Sequence, residues 1–326
     1  MTANRQWTLA RRPEGDPVEE DFELVGADVP DPGDGEVLVR TLYLSVDPYM
    51  RGRMDGAWDP GQVMRASVVG EVEASNHPEF APGETVTGEL RWAEYAVAHG
   101  RRLTRADTGE APASTALGVL GMPGRTAYFG VVDVLDPSPG DTVVVSAAAG
   151  AVGSAAGQVA DEAGCRVIGI AGSDRKVAFV EDDCGLAAGI NYRREDVGAR
   201  LDDLTDGIDG YFDNVGGPIT DAVIDRLADR GSVAVCGQIA LYNAEGTPTG
   251  PRHLRSLIGK SARIEGFLVS DFADRYGEAN GRLRAWVADG TLAYRESVVE
   301  GFENAPAAFI GLFEGENIGK QVVRVD

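Results

Sequence analysis

Lysine is nearly missing from this chain: of its 30 basic residues only Lys176, Lys260 and Lys320 are lysines, and the rest are arginines. Positive charge as a whole is scarce, since 52 acidic residues leave a net charge of −22 over 326 residues. A surface of that sign repels polyphosphates and anionic headgroups, which argues against nucleic acid and membrane as partners. Acid-rich, lysine-poor composition also suggests adaptation to concentrated salt, where screening relieves self-repulsion. Histidine and cysteine are sparse too. His77, His99 and His253 are the only histidines, and Cys165, Cys184 and Cys236 the only cysteines. With no cysteine in the front half and no C-x-x-C, a Cys/His zinc site there is ruled out. Three widely spaced cysteines read as free thiols in a cytoplasm. Met1 to Pro13 holds no apolar run, so no secretory signal is expected. No charge falls between Asp141 and Asp161, but the glycines and serines inside that window suit a soluble turn better than lipid.

That window is where the positive evidence begins. Val143-Val144-Val145-Ser146 reads as a buried strand and the small residues from Ala151 as a helix. Between them Ala148, Gly150 and Gly153 form a glycine fingerprint whose first glycine is replaced by alanine. A tight turn of this kind lets backbone approach a pyrophosphate, while the free N–H groups of the following helix point at the anion. Plain small-residue packing of helix on sheet would give a similar pattern, so the neighbouring elements matter.

Those neighbours alternate. After the helix stops at Gly164, strands are expected at Arg166–Ala171, Ala188–Asn191, 210–215 and 232–237, with helices near 174, 195–204 and 218–228 between them. Ser173 is placed to cap the second helix. Alternation of strand and helix implies a parallel, doubly wound sheet. A short helix at 253–259, a strand at 263–269 and a long helix ending near Gly290 follow. Residues 1 to about 120 instead read as short strands broken by turns, among them 37–46, 67–74, 84–88 and 92–98, which favours a barrel-like β domain. The two strand segments near the C-terminus, around 294–301 and 321–325, are too few to fold alone and are expected to rejoin that first domain.

In an open α/β sheet, ligands lie beyond the carboxyl ends of the strands. After the second strand comes Gly172-Ser173-Asp174-Arg175-Lys176. Asp174 would suit the ribose hydroxyls of NAD, whereas Arg175 and Lys176 would suit the 2′-phosphate of NADPH. One of three lysines placed here tips the choice to NADPH. After the fourth strand, Asp213-Asn214-Val215-Gly216-Gly217 could admit a nicotinamide ribose or simply start a helix. After the fifth, Tyr242 offers either a proton donor or a packing aromatic.

Taken together, several stretches resemble one family. Ser45-Val46-Asp47-Pro48-Tyr49-Met50-Arg51-Gly52, Gly121-Met122-Pro123-Gly124-Arg125-Thr126-Ala127-Tyr128, the Ser146 to Gly157 stretch, Asn191-Tyr192, Asp213 to Gly217 and Asn317-Ile318-Gly319-Lys320 are similar to the zinc-independent medium-chain dehydrogenases/reductases. Within that family the likeness is to the NADPH-dependent alkenal double-bond reductases. The resemblance implies an α/β protein: a GroES-like β-rich domain over 1–121, a Rossmann domain over 122–290, and a tail over 291–326 that returns to the first. It implies that Gly150, Ala151, Val152 and Gly153 form the pyrophosphate turn. Lys176, flanked by Ser173 and Arg175, would meet the 2′-phosphate, and Tyr192, Asn214 and Asn317 would make further cofactor contacts. Tyr242 and Tyr49 would line the substrate cleft, with no metal.

The activity so implied is hydride transfer from NADPH to the double bond of an α,β-unsaturated aldehyde or ketone, in a protein that pairs as a homodimer. A quinone reductase on the same scaffold is the alternative. A non-catalytic NADPH-binding module or a methyltransferase fits less well, the latter because of the Arg175-Lys176 pair. The loop after Tyr242 carries no further aromatic up to Arg252, so the likeness transfers no acyl-chain specificity.

Overall fold

The computed structural model describes residues 3–325. The chain divides into two compact units, one formed by residues up to Leu117 with those from Glu296 onward, the other by Gly118–Arg295. Residues 291–295 thus lie with the second unit and not with the tail. The cause is a two-way bond: Gln158 Nε2 donates to Ala293 O at 2.9 Å, and Ala293 N–H donates to Gln158 Oε1 at 2.7 Å.

The first unit is built on a mostly antiparallel sheet. Its strands run in the order Glu296–Glu300, Lys320–Arg324, Glu36–Ser45, Arg65–Ser75, Thr85–Arg91 and Thr104–Arg105, with Tyr95–His99 also paired to Glu36–Ser45. Register shifts in the pairing of Glu36–Ser45 with Arg65–Ser75 bend this sheet around its core. At Gly70 the strands approach so closely that a Cβ would lie 2.4 Å from Arg40 O. Leu9, Phe22, Met50, Met54, Trp92 and Phe309 fill the interior, with Phe22 stacked on Trp92 at 6.2 Å.

A hairpin of Ala3–Leu9 with Phe22–Asp28 completes the unit. Its first strand carries no hydrophobic alternation because three of its buried positions are polar: Asn4, Gln6 and Thr8. Asn4 is satisfied by the backbone of Tyr95, donating to its oxygen at 2.8 Å and accepting from its N–H at 3.0 Å.

The second unit holds the expected parallel sheet. Strand order is Ala188–Asn191, Arg166–Ala171, Thr142–Ser146, Ile208–Asp213, Leu227–Val235, Arg263–Gly266, and every pairing is parallel. The strand first in sequence sits inside the sheet, so the order reverses beside it and opens a crevice at its carboxyl end. Helix Ala151–Glu162 buries Gly153 through Ala160, and at Gly157 a Cβ would lie 2.7 Å from Leu186 Cδ1. Small residues therefore fill this helix because it lies close to its neighbours.

Several boundaries differ from those read in the sequence: the strands expected over 210–215 and 232–237 are Ile208–Asp213 and Leu227–Val235. The helix expected over 218–228 is Gly217–Ile224, because Leu227 already pairs with Ile208 as the start of a strand. The strand expected over 263–269 stops at Gly266, and Asp271 Oδ2 accepts from Leu268 N–H at 3.1 Å to begin a turn. The charge-free window is a five-residue strand, a turn and a helix, and no helix among the described residues is long and apolar enough to cross a membrane.

Candidate functional site

The turn after Thr142–Ser146 is tight. Ala147 holds a left-handed backbone (φ 48°), at a cost of about 1–2 kcal/mol for a residue with a Cβ. The glycine-favouring conformation thus falls on Ala147, one place before the Ala148 expected from the fingerprint. Ala148 N–H donates to Ile170 O at 3.0 Å, and Gly150 N–H to Ala147 O at 2.8 Å. Gly153 is the position that tolerates nothing larger: a Cβ there would lie 2.2 Å from Ala147 O. Gly150 caps the helix in extended conformation and has no side chain to occupy the first N–H groups. The N–H groups of Ala151, Val152 and Gly153 are therefore open to an anion, with the helix dipole behind them.

The turn after Arg166–Ala171 brings together the next set. Ser173 caps helix Asp174–Ala178, its Oγ accepting from Lys176 N–H at 3.3 Å. Asp174 is engaged elsewhere: Asn191 Nδ2 donates to it at 2.6 Å and Arg194 pairs with it. That carboxylate is not left for a ribose. Tyr192 lies against Gly172, where a Cβ would lie 3.1 Å from the phenol oxygen. Lys176 is half-buried and, among the described residues, has no carboxylate within ion-pair distance, in a chain rich in acids. Burial, with Arg193 nearby, holds its ammonium below the ordinary lysine value. Arg175 is exposed beside it. A half-buried cation with no carboxylate partner among the described residues is free to accept an external anion.

The third set sits at the ends of Ile208–Asp213 and Leu227–Val235. Asp213 is fully buried, and its Oδ1 accepts from Tyr211 OH at 3.0 Å, Val215 N–H at 2.9 Å, Gly216 N–H at 2.9 Å and Ser146 Oγ at 3.3 Å. Asn214 donates through Nδ2 to Ser146 O at 2.8 Å, which leaves its Oδ1 free to accept. Gly216 and Gly217 both have positive φ (73° and 60°), and a Cβ at Gly216 would lie 2.3 Å from Gln238 Oε1. Tyr242 folds back over this loop, and its oxygen accepts from Gln238 N–H at 3.2 Å.

The remaining candidates, Tyr49 and Asn317, belong to the first unit. Tyr49 opens the short helix Tyr49–Met54, with the Arg53 guanidinium 5.0 Å from its ring centroid; burial, then Asp47, pushes its phenol well above the usual value. Asn317 precedes Lys320–Arg324 and donates through Nδ2 to Gly319 O at 2.8 Å. Both are placed by one buried contact, since Lys320 Nζ donates to Val46 O at 2.8 Å and to Asp47 Oδ1 at 3.1 Å.

Comparison with known proteins adds family to geometry. The model described as the N-terminal domain of oxidoreductase matches residues 5–106, and that described as zinc-binding dehydrogenase matches residues 151–283. A putative NADP-dependent oxidoreductase of Bacillus subtilis is 47% identical over 100% of this chain and 99% of its own length. The chain belongs to the medium-chain dehydrogenase/reductase family, in its alkenal, curcumin and prostaglandin reductase branch. The NADPH-dependent curcumin reductase of Escherichia coli is 41% identical, over 99% of this chain and 97% of its own. The crystal structure of CurA from Vibrio vulnificus in complex with NADPH superposes with a TM-score of 0.94 at 45% identity, covering 99% of both chains. Although the second match is to a zinc-binding dehydrogenase domain, no group of three His, Cys, Asp or Glu side chains converges as a metal site among the described residues.

Sequence reasoning overlooked the residues that hold this family site in shape. Ser146 and Asp213 open two of the family stretches but carry no assigned role there, and Gln238 reads only as a loop residue. The one signal was an aspartate closing a strand directly after two aromatics, Tyr211-Phe212-Asp213.

Proposed function

We propose that this protein reduces the carbon–carbon double bond of α,β-unsaturated aldehydes and ketones with NADPH. The observation that carries the cofactor choice is Lys176: a half-buried ammonium without a carboxylate partner, on the turn next to an N-terminus whose first N–H groups are open. Residues 118–295 would hold the cofactor, with Gly150, Ala151, Val152 and Gly153 at the pyrophosphate, Lys176 with Ser173, Arg175 and Tyr192 at the 2′-phosphate end, and Asn214 at the nicotinamide end. Asn317 and Tyr49 lie in the first unit, and the family resemblance gives them a cofactor contact and a substrate contact.

Bound there, NADPH supplies a hydride to the β-carbon of the enone. The electron pair of the double bond then moves toward the carbonyl, and the Tyr242 hydroxyl donates a hydrogen bond to the oxygen where charge collects. The same hydroxyl, or water, gives the proton that completes the α-carbon. An enone carries its own electron sink, so this chemistry needs no metal. The test is NADPH oxidation against a panel of enals, enones and quinones. Turnover of enals and enones is expected. Turnover of quinones alone would assign the chain to quinone reduction instead.

We also propose that the protein is a cytoplasmic homodimer adapted to salt. Pairing is supported by the unpaired edge strand Arg263–Gly266 and its exposed apolar neighbours, Ile258 at 81% and Leu268 at 68% exposure. Ile258→Glu with Leu268→Glu should halve the mass measured by light scattering; an unchanged mass would remove this edge as the interface. The three free cysteines fit a reducing compartment.

A further inference from the structure

The Gln238 side chain touches both loops of the nicotinamide end. Its Nε2 donates to Asp213 Oδ2 at 2.8 Å and to Gly237 O at 3.0 Å. Its Oε1 lies over the Gly216 backbone, so near that a Cβ at Gly216 would come within 2.3 Å of it. Its own backbone N–H donates to the Tyr242 oxygen. Asp213, the anchor of this arrangement, is fully buried and takes all its bonds from neutral donors; no Lys, Arg or His pairs with it among the described residues. A buried carboxylate is tolerated only when such donors are complete. Asp213 therefore fixes the Gln238 side-chain amide, and the Asp213 backbone oxygen, accepting from Gly237 N–H at 3.1 Å, holds the segment that carries the Gln238 backbone N–H.

We propose that Gln238 is a positioning residue for Tyr242, holding the phenol by its oxygen so that its O–H is turned outward as a donor; this rests on the reading of Tyr242 as the group facing the substrate carbonyl. The physical reason is the inventory of a phenol. Its oxygen accepts and its single proton donates. With the acceptor side taken by Gln238 N–H, the proton is left for the substrate. The same bond remains in place as negative charge appears on the phenol oxygen during proton transfer, so it strengthens in the transition state rather than in the ground state. Without the amide anchor the loop keeps only its backbone bonds, such as Gly237 N–H to Asp213 O and Ala240 N–H to Val215 O, and the phenol is held less firmly.

A double-mutant cycle tests this, using Gln238→Met (equal length, no amide), Tyr242→Phe and the double variant in the full-length enzyme. Measured are kcat and KM with an enone, the solvent isotope effect on kcat, and the dissociation constant for NADPH. Gln238→Met is expected to lower kcat about tenfold and raise the solvent isotope effect, with NADPH affinity within about twofold of the parent. The double variant is expected to be no slower than Tyr242→Phe alone, because the two residues act as a unit. Multiplying effects would overturn the positioning role while leaving Tyr242 in the mechanism. Full activity of Tyr242→Phe would instead remove Tyr242, and the role of Gln238 with it. Hydrogen exchange supplies a reading that needs no Gln238 variant: protection of the Gln238 amide should fall at least tenfold in Tyr242→Phe, and unchanged protection would show that the bond is absent.

Discussion

Lys320 Nζ lies 3.1 Å from Asp47 Oδ1, joining positions 273 residues apart in a contact only a few per cent exposed. The two family stretches Ser45-Val46-Asp47-Pro48-Tyr49 and Asn317-Ile318-Gly319-Lys320 are thus halves of one piece of structure. Ser45 Oγ donates to the second oxygen of Asp47, and Lys320 also donates to Val46 O and Gln321 O. The return of the C-terminal strand therefore sets the loop that leads into Tyr49.

Breaking that pair from one side leaves an uncompensated buried charge. Lys320→Met should destabilise the protein by about 3–5 kcal/mol, read as a lower urea midpoint. Asp47→Asn in the same chain should recover part of the loss, because both charges are then gone. A single variant as stable as the parent would mean that the contact carries no weight in the first unit.

Tyr242→Phe removes one donor without changing the ring. Turnover on enones should fall about tenfold to a thousandfold, in the range for a lost acid or oxyanion donor. NADPH binding should hardly change. Steady-state rates equal to the parent's would take Tyr242 out of the chemistry.

Salt dependence follows from the charge balance of 52 acids against 30 bases. Many of the ion pairs are exposed arginine–carboxylate contacts, such as Arg12 with Asp59 and Arg324 with Glu300, which contribute little each. They do not neutralise the excess acid. Screening should then stabilise the fold: the melting temperature is expected to rise between dilute buffer and molar KCl. A flat or falling curve would remove the salt adaptation.

How much of this was visible before the structure depends on where the information is local. The parallel sheet was legible because its inner strands Thr142–Ser146 and Arg166–Ala171 are largely apolar runs and the helix cap Ser173 stands beside the residues it caps. Strands Arg166–Ala171 and Ala188–Asn191 lie where their composition places them. The hairpin strand Ala3–Leu9 was not legible, since Asn4, Gln6 and Thr8 are buried polar residues, and Asn4 is satisfied by Tyr95, 91 residues away. The same holds at the site. Lys176 stood out because lysine is scarce here. The Ser146, Asp213 and Gln238 arrangement did not, because it closes only when three strand ends meet in the sheet.

The central claim is that Lys176 meets the 2′-phosphate of NADPH over the Gly150–Gly153 turn during enone reduction. It is tested most directly by kcat/KM for NADPH and for NADH, with one 2-alkenal as acceptor, in the parent and in Lys176→Ala. The parent should prefer NADPH strongly, and the variant should lose about 1.5–3 kcal/mol with NADPH, roughly tenfold to a hundredfold, while its rate with NADH stays nearly unchanged. Equal use of the two cofactors by the parent, or equal losses with both in the variant, would contradict that claim.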